Sequence, residues 1–167
     1  PGVFDAKHIL LGRDIRLSSP DMFKSLSEGI TDAGANVVDA GLSTTPMIYW
    51  GTGKFDFDAS VMITASHNTK DYNGLKFSGK GVVPVGYANG LDEIEKLILS
   101  DTPVVPGPKG TIEDFELKEP YLEFLSAYQS DLNGLKISID FSNGMAGMFA
   151  NDLFKGNIHF LNQKPDG

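Results

Sequence analysis

Between Val61 and Gly81 the chain reads VMITASHNTKDYNGLKFSGKG. An apolar run gives way there to Ser66, His67 and Asn68, three consecutive side chains able to do chemistry. Lys70 and Lys76 flank the turn-forming pair Asn73-Gly74. A serine leaving a buried strand can be a nucleophile, a phosphoryl carrier or a capping hydroxyl in a turn. A hydrolytic triad is excluded on geometry. His67 is the sequence neighbour of Ser66, adjacent residues rarely face one another as nucleophile and base, and no G-x-S-x-G elbow is present. Two further cations stand in GRDIR, where Arg13 and Arg16 are the only arginines of the chain. They are suited either to phosphate or to neighbouring carboxylates such as Asp14. His8 and His159 have no evident partner, Asp56 and Asp58 read as a solvated turn before a strand, and Asp140 and Asn143 read as a strand end and turn rather than as ligands.

The pattern around these residues predicts what positions them. HILLG, His8 to Gly12, is a short buried strand. A helix follows, with Ser19 as N-cap, Pro20 at its first position and Asp21 at its positive end. Met22, Phe23, Leu26 and Ile30 recur at helical spacing before Gly34 stops it. Asn36 to Gly41 is a second strand, completing a βαβ unit with parallel strands. A helix capped by Thr44 or Thr45 ends near Gly51 or Gly53. Ala59 to Ala65 is apolar throughout, hence a central strand. Gly74 to Gly79 comes back after about nine residues, too few for a parallel crossover, so it runs antiparallel at the edge. Helices are expected around Leu91 to Ile98 and from near Pro120, separated by a Pro/Gly-rich linker over Asp101 to Gly110. Leu135 to Phe141 is another strand running into a glycine-rich loop, read as the entrance to a second α/β domain. In open α/β sheets ligands bind beyond the carboxyl ends of the strands. That rule brings the GRDIR loop, the Gly41 to Thr45 loop and the Ser66 loop to one crevice.

Composition bounds the function. Of 167 residues 41% are apolar and 22% charged, ordinary values for a globular protein. No apolar run approaches a membrane span, and no signal-peptide pattern opens the chain. The absence of cysteine excludes disulfides and thiolate metal sites and fits cytoplasmic residence. Acidic residues outnumber basic ones by 22 to 14, a formal charge of −8, which argues against a nucleic-acid partner. Any anionic substrate must be met by a local collection of donors.

TASHN…DYNGLKF, together with GRDIRLSSP, DAGLSTTPM and DFSNGMAG in that order, resembles the α-D-phosphohexomutase family and most of all its phosphomannomutase/phosphoglucomutase branch. The glucosamine-specific branch is the runner-up. The resemblance, with the element pattern, implies a three-layer α/β/α domain over residues 1–131. Its mixed four-stranded sheet has order 2-1-3-4 with strand 4 antiparallel, and residues 132–167 begin a second α/β domain. It further implies interconversion of hexose 6-phosphate and hexose 1-phosphate, mannose or glucose, through a phosphoserine and a hexose 1,6-bisphosphate intermediate. Ser66 matches the phosphorylated serine, whose transfer chemistry needs positioning and charge neutralisation. Lys76 matches the lysine beside it, a general base or phosphoryl clamp, and His67 joins the catalytic set. Asn68, Arg16 and Arg13 are the substrate- or phosphate-binding candidates. Mg²⁺ is implied at the phosphate of Ser66, with its other ligands outside this chain.

Thr69 departs from the proline usual after SHN, which restores a rotatable φ to the loop. The family's arginine-bearing first segment, its DGDxDR-type metal loop, its sugar loop and its C-terminal phosphate loop have no counterpart here. The chain is therefore expected to be a fragment, inactive without the missing domains of its parent. Two competing expectations are a non-catalytic sugar-phosphate-binding module and a domain used only for interaction.

Overall fold

The computed structural model describes residues 5–100 and 107–166. Its elements are β1 (His8–Arg13), α1 (Ser19–Asp32), β2 (Asn36–Leu42), α2 (Thr45–Lys54), β3 (Ala59–Ile63), β4 (Leu75–Gly79), β5 (Val83–Pro84), α3 (Leu91–Leu99), β6 (Ile112–Asp114), α4 (Lys118–Ser126), β7 (Ile137–Asp140), α5 (Ala150–Leu153) and β8 (Ile158–Leu161).

The main sheet has the order β5-β4-β3-β1-β2-β6. Strands β1, β2, β3 and β6 are parallel, while β4 runs antiparallel to β3 and β5 antiparallel to β4. The expected 2-1-3-4 order and the antiparallel fourth strand are present, but the sheet has six strands rather than four. Both additions are edges made by pairing. β5 is two residues long and includes Pro84, whose missing N–H is tolerated at an edge. β6 is three exposed residues following the expected linker, whose residues 101–106 lie outside those described. Strands this short carry too few residues for a period-two pattern to register.

Strand alternation divides the core between the two faces of the sheet. Ile9, Leu11, Val37 and Val61 meet Ile30 of α1 on one face, with Phe23 and Leu26 packed against them. Leu10 and Met62 meet Met47 and Ile48 of α2 and Tyr121 of α4 on the other. Helices on both faces explain why β1 and β3 read as unbroken apolar runs. α3 is looser: none of its residues is buried.

Local signals were mostly placed as expected, with two shifts of one or two residues. Thr44 caps α2, its hydroxyl accepting from the Met47 amide at 3.3 Å. Gly34 terminates α1 at φ +81°, a conformation that favours glycine. Ser19 is not the N-cap of α1. That position is Ser18, while Ser19 is the first helical residue and its hydroxyl donates to Asp14 at 2.7 Å. α4 begins at Lys118, before Pro120. Beyond it, β7 and β8 pair in parallel as a separate two-stranded sheet. The turns before α5 carry Phe149 into the core shared by α2 and α4.

Candidate functional site

A crevice of about 350 Å³ opens at the carboxyl ends of β1, β2 and β3. Its walls include Arg16 after β1, Thr44 and Thr45 at the start of α2, and Ser66 and Lys70 after β3. Ser142 to Met145, the turn after β7, closes another side. Asn143, which the sequence marks only as a turn residue, is part of that wall. Nothing local to DFSNGMAG announces that this turn meets a loop more than seventy residues earlier.

Ser66 is exposed and takes φ +58°, the left-handed region that costs a residue with a Cβ about 1 kcal/mol or more. Its backbone is fixed on both sides. The Ser66 amide donates to Thr64 Oγ1 at 2.9 Å, its carbonyl accepts from Arg16 Nη2 at 3.1 Å, and the Asn68 amide closes a turn on Ala65 O at 3.1 Å. The Ser66 hydroxyl makes no hydrogen bond among the described residues. The oxygen is thus open to the crevice while the chain beneath it is tied down.

Arg16 does most of the tying. Its Nη2 donates to the carbonyls of Ser66 and Asn68 (2.7 Å), and its Nη1 to those of Thr69 (2.8 Å) and Tyr72 (3.1 Å). Nε donates to Asp14 Oδ2 at 3.2 Å. All five N–H groups of a guanidinium are accounted for. Asp14 is buried and also accepts from the Arg16 amide and the Ser19 hydroxyl. Asn73 anchors the far end of the loop, its Nδ2 donating to Ser18 Oγ (2.9 Å) and Ser19 Oγ (3.0 Å).

The other expected residues are placed as follows. Arg13 turns away from the crevice, its Nη1 bonded to Asp39 Oδ1 at 2.7 Å and its guanidinium 4.3 Å above the Phe23 ring. Of the two partners the sequence leaves open to the arginines, phosphate or neighbouring carboxylates, the structure shows carboxylates for both, and neither guanidinium is free in this conformation. The lysines are: Lys70 and Lys76 make no ion pair among the described residues. Lys70 lines the crevice. Lys76 stands opposite Met62 in the β3–β4 ladder and so projects from the sheet face that Met62 presents to the crevice floor. His67 and Asn68 are exposed beside Ser66; the Asn68 carbonyl is held by Arg16, and the His67 ring bonds to nothing described. Asp58 is a backbone acceptor: its Oδ2 takes the amides of Lys7 and His8, each at 3.0 Å. Those bonds, that from His8 foremost, hold its carboxyl below the ordinary 3.8. His8 itself lies 3.7 Å from Asp58.

The described residues do not by themselves assemble a Mg²⁺ site. No cluster of three carboxylate or imidazole side chains occurs among them. Asp14, the carboxylate next to Arg16, has both oxygens occupied by donors.

Comparison with known proteins agrees with this geometry. Residues 3–104 match the family described as phosphoglucomutase/phosphomannomutase, alpha/beta/alpha domain I. A phosphoglucomutase of Neisseria meningitidis serogroup B is 36% identical over 89% of this chain and 32% of its own length. A phosphoglucosamine mutase of Clostridium botulinum is 37% identical, over 95% of this chain and 37% of its own. The crystal structure of a phosphoglucomutase/phosphomannomutase family protein from Burkholderia thailandensis superposes with a TM-score of 0.81 at 27% identity, covering 96% of this chain and 36% of that one. The chain thus spans about a third of the length of the relatives it matches. A six-stranded α/β/α layer with its crevice on the Ser66 side, and a family match over more than half its residues, mean that the chain belongs to the phosphoglucomutase/phosphomannomutase family.

Proposed function

We propose that this chain supplies the phosphoryl-carrying serine of a phosphohexomutase that interconverts hexose 6-phosphate and hexose 1-phosphate. The observation that carries the proposal is Ser66: an exposed, unbonded hydroxyl on a fixed left-handed backbone, beside a crevice lined by an unpaired lysine. Phosphoryl transfer asks a protein for positioning and for charge stabilisation, and those are what this loop offers.

In the proposed reaction the bond between phosphorus and Ser66 Oγ breaks as a bond forms from phosphorus to a sugar hydroxyl oxygen. The hydroxyl proton passes to a base and the departing Oγ takes up a proton, leaving free serine and a hexose 1,6-bisphosphate. The return step takes the other phosphoryl group of that bisphosphate back onto Oγ. Lys70 and Lys76 neutralise the transferring group, in a chain whose formal charge of −8 otherwise repels it. Lys76 can also serve as the base, and His67 is a second candidate for proton transfer. Mg²⁺ at the serine phosphate belongs to the proposal, but this chain contributes only the phosphate oxygens to it, so no step here is routed through the ion.

The substrate is proposed as mannose or glucose phosphate, with glucosamine phosphate as the alternative. Relatives named for glucose, mannose and glucosamine stand at 36 to 37% identity, so likeness does not rank them. Residence in the cytoplasm and dependence on further domains of the parent chain complete the proposal. The test is Ser66→Ala in the full-length protein that carries these residues, assayed on each hexose 1-phosphate. Loss of turnover with an unchanged melting temperature is the expected result. Unimpaired turnover rejects the proposal, and hexose-phosphate binding without turnover in the unaltered protein favours the non-catalytic module.

A further inference from the structure

We propose that Arg16 is a positioning residue for phosphoryl transfer: its guanidinium sets the conformation of the 66–72 loop, and with it the aim of Ser66 Oγ, instead of binding substrate phosphate. The inference rests on the reading of Ser66 as phosphoryl carrier.

Four carbonyls of one exposed loop converge on a single side chain. The acceptors are Ser66, Asn68, Thr69 and Tyr72, at 2.7 to 3.1 Å from the two Nη atoms. The side chain of Arg16 is only 12% exposed, and that of its partner Asp14 10%. Hydrogen bonds from an ionised donor in so shielded a place are the strong kind. The loop's own side chains offer no substitute, because His67 to Tyr72 are all exposed. A serine at φ +58° persists only where its surroundings over-determine it. The bond from Nη2 to the Ser66 carbonyl is one of the two that fix that residue's backbone, and the other, from the Ser66 amide to Thr64, is weaker because both groups are neutral. Asp14 orients the fork in turn, through Nε and the Arg16 amide.

Lysine cannot replace this group. Three donors on one nitrogen reach a single point, whereas the four acceptors are spread along seven residues. The same geometry argues against phosphate binding by Arg16, since a phosphate would have to displace carbonyls of which three, those of Ser66, Asn68 and Tyr72, have no other donor among the described residues.

The experiment compares the full-length protein with Arg16→Lys, Arg16→Gly and Ser66→Ala on a hexose 1-phosphate, and follows amide hydrogen exchange in each. Arg16→Lys is expected to lower kcat by about tenfold or more while KM stays within about threefold. Exchange should quicken over residues 66–73 and stay unchanged in β1 and β3. Guanidinium ion, far below denaturing concentrations, should restore part of kcat to Arg16→Gly and none to Ser66→Ala. A rise in KM at unchanged kcat, or unaltered exchange in the loop, overturns the proposal and makes Arg16 a substrate ligand or a bystander. Should Arg16→Gly fail to fold, Arg16→Lys decides alone. Full activity of Ser66→Ala would instead remove the phosphoserine reading, and the exchange data would still report whether Arg16 holds the loop.

Discussion

At the scale of single residues, the site separates groups that hold the loop from groups left open to a ligand. Ser66 and Lys70 are open, whereas Arg13, Arg16, Asp14 and Asn73 are bound into the protein. Lys70→Ala in the full-length protein is therefore expected to lower kcat on a hexose phosphate about tenfold, with a smaller effect on KM, in steady-state assays. Asp58 gives a pH-dependent test of stability. Its carboxyl accepts two amides, and its folded pKa lies below the ordinary 3.8. The stabilisation is accordingly complete above that ordinary value and is lost as pH falls through the depressed one. Asp58→Asn should cost about 1 kcal/mol in denaturant melts at neutral pH, and the difference from the unaltered chain should shrink on acidification through that window. The placement of Ser66 at the crevice was legible in the sequence because it follows an apolar strand at its carboxyl end. Pairing of an arginine with Asp14 was legible too, but the long-range partners were not. Which carboxylate or carbonyl an arginine meets depends on a partner 26 residues away for Arg13 and 50 to 56 away for the Arg16 loop contacts.

Elements were legible where the pattern is long and illegible where pairing makes them. β1 and β3 announced themselves as apolar runs, β2 by its place after the first helix, and the short return to β4 dictated its antiparallel direction. β5 and β6 exist only because edges of the sheet were available to them. Two of the close approaches that position the crevice can be tested. Gly12 ends β1 against α2, and a Cβ there would lie 2.7 Å from Ile48 Cγ1 and 3.0 Å from Ser43 Cβ, and would overlap Ile48 Cδ1. Gly12→Ala should cost about 1–3 kcal/mol by chemical denaturation, since Ile48 is wholly buried and must move with its helix. Thr44→Ala removes the side-chain cap of α2 at the crevice wall and is expected to cost about 1 kcal/mol in the same measurement. Thr69, where relatives of this pattern have proline, is compatible with a fixed loop because its carbonyl is one of those held by Arg16.

On the scale of the whole molecule, charge and length set the terms. Against an excess of eight negative charges, unpaired Lys70 in the crevice wall with Ser66 is a local exception of the kind the proposed anionic substrate requires. The crevice also draws its last wall from the turn after β7, so the second, two-stranded unit takes part in the site and is more than an appendage. The chain covers about a third of the length of its relatives, and kinetics of the full-length protein on each hexose phosphate test which sugar the proposed reaction takes. The most direct measurement is to incubate the full-length protein with hexose 1,6-bisphosphate labelled in its phosphoryl groups and to map the label by peptide mass spectrometry. The account predicts label on the peptide bearing Ser66, chased away by excess unlabelled hexose 1-phosphate. Label confined to another residue, or turnover with none bound covalently, would contradict it.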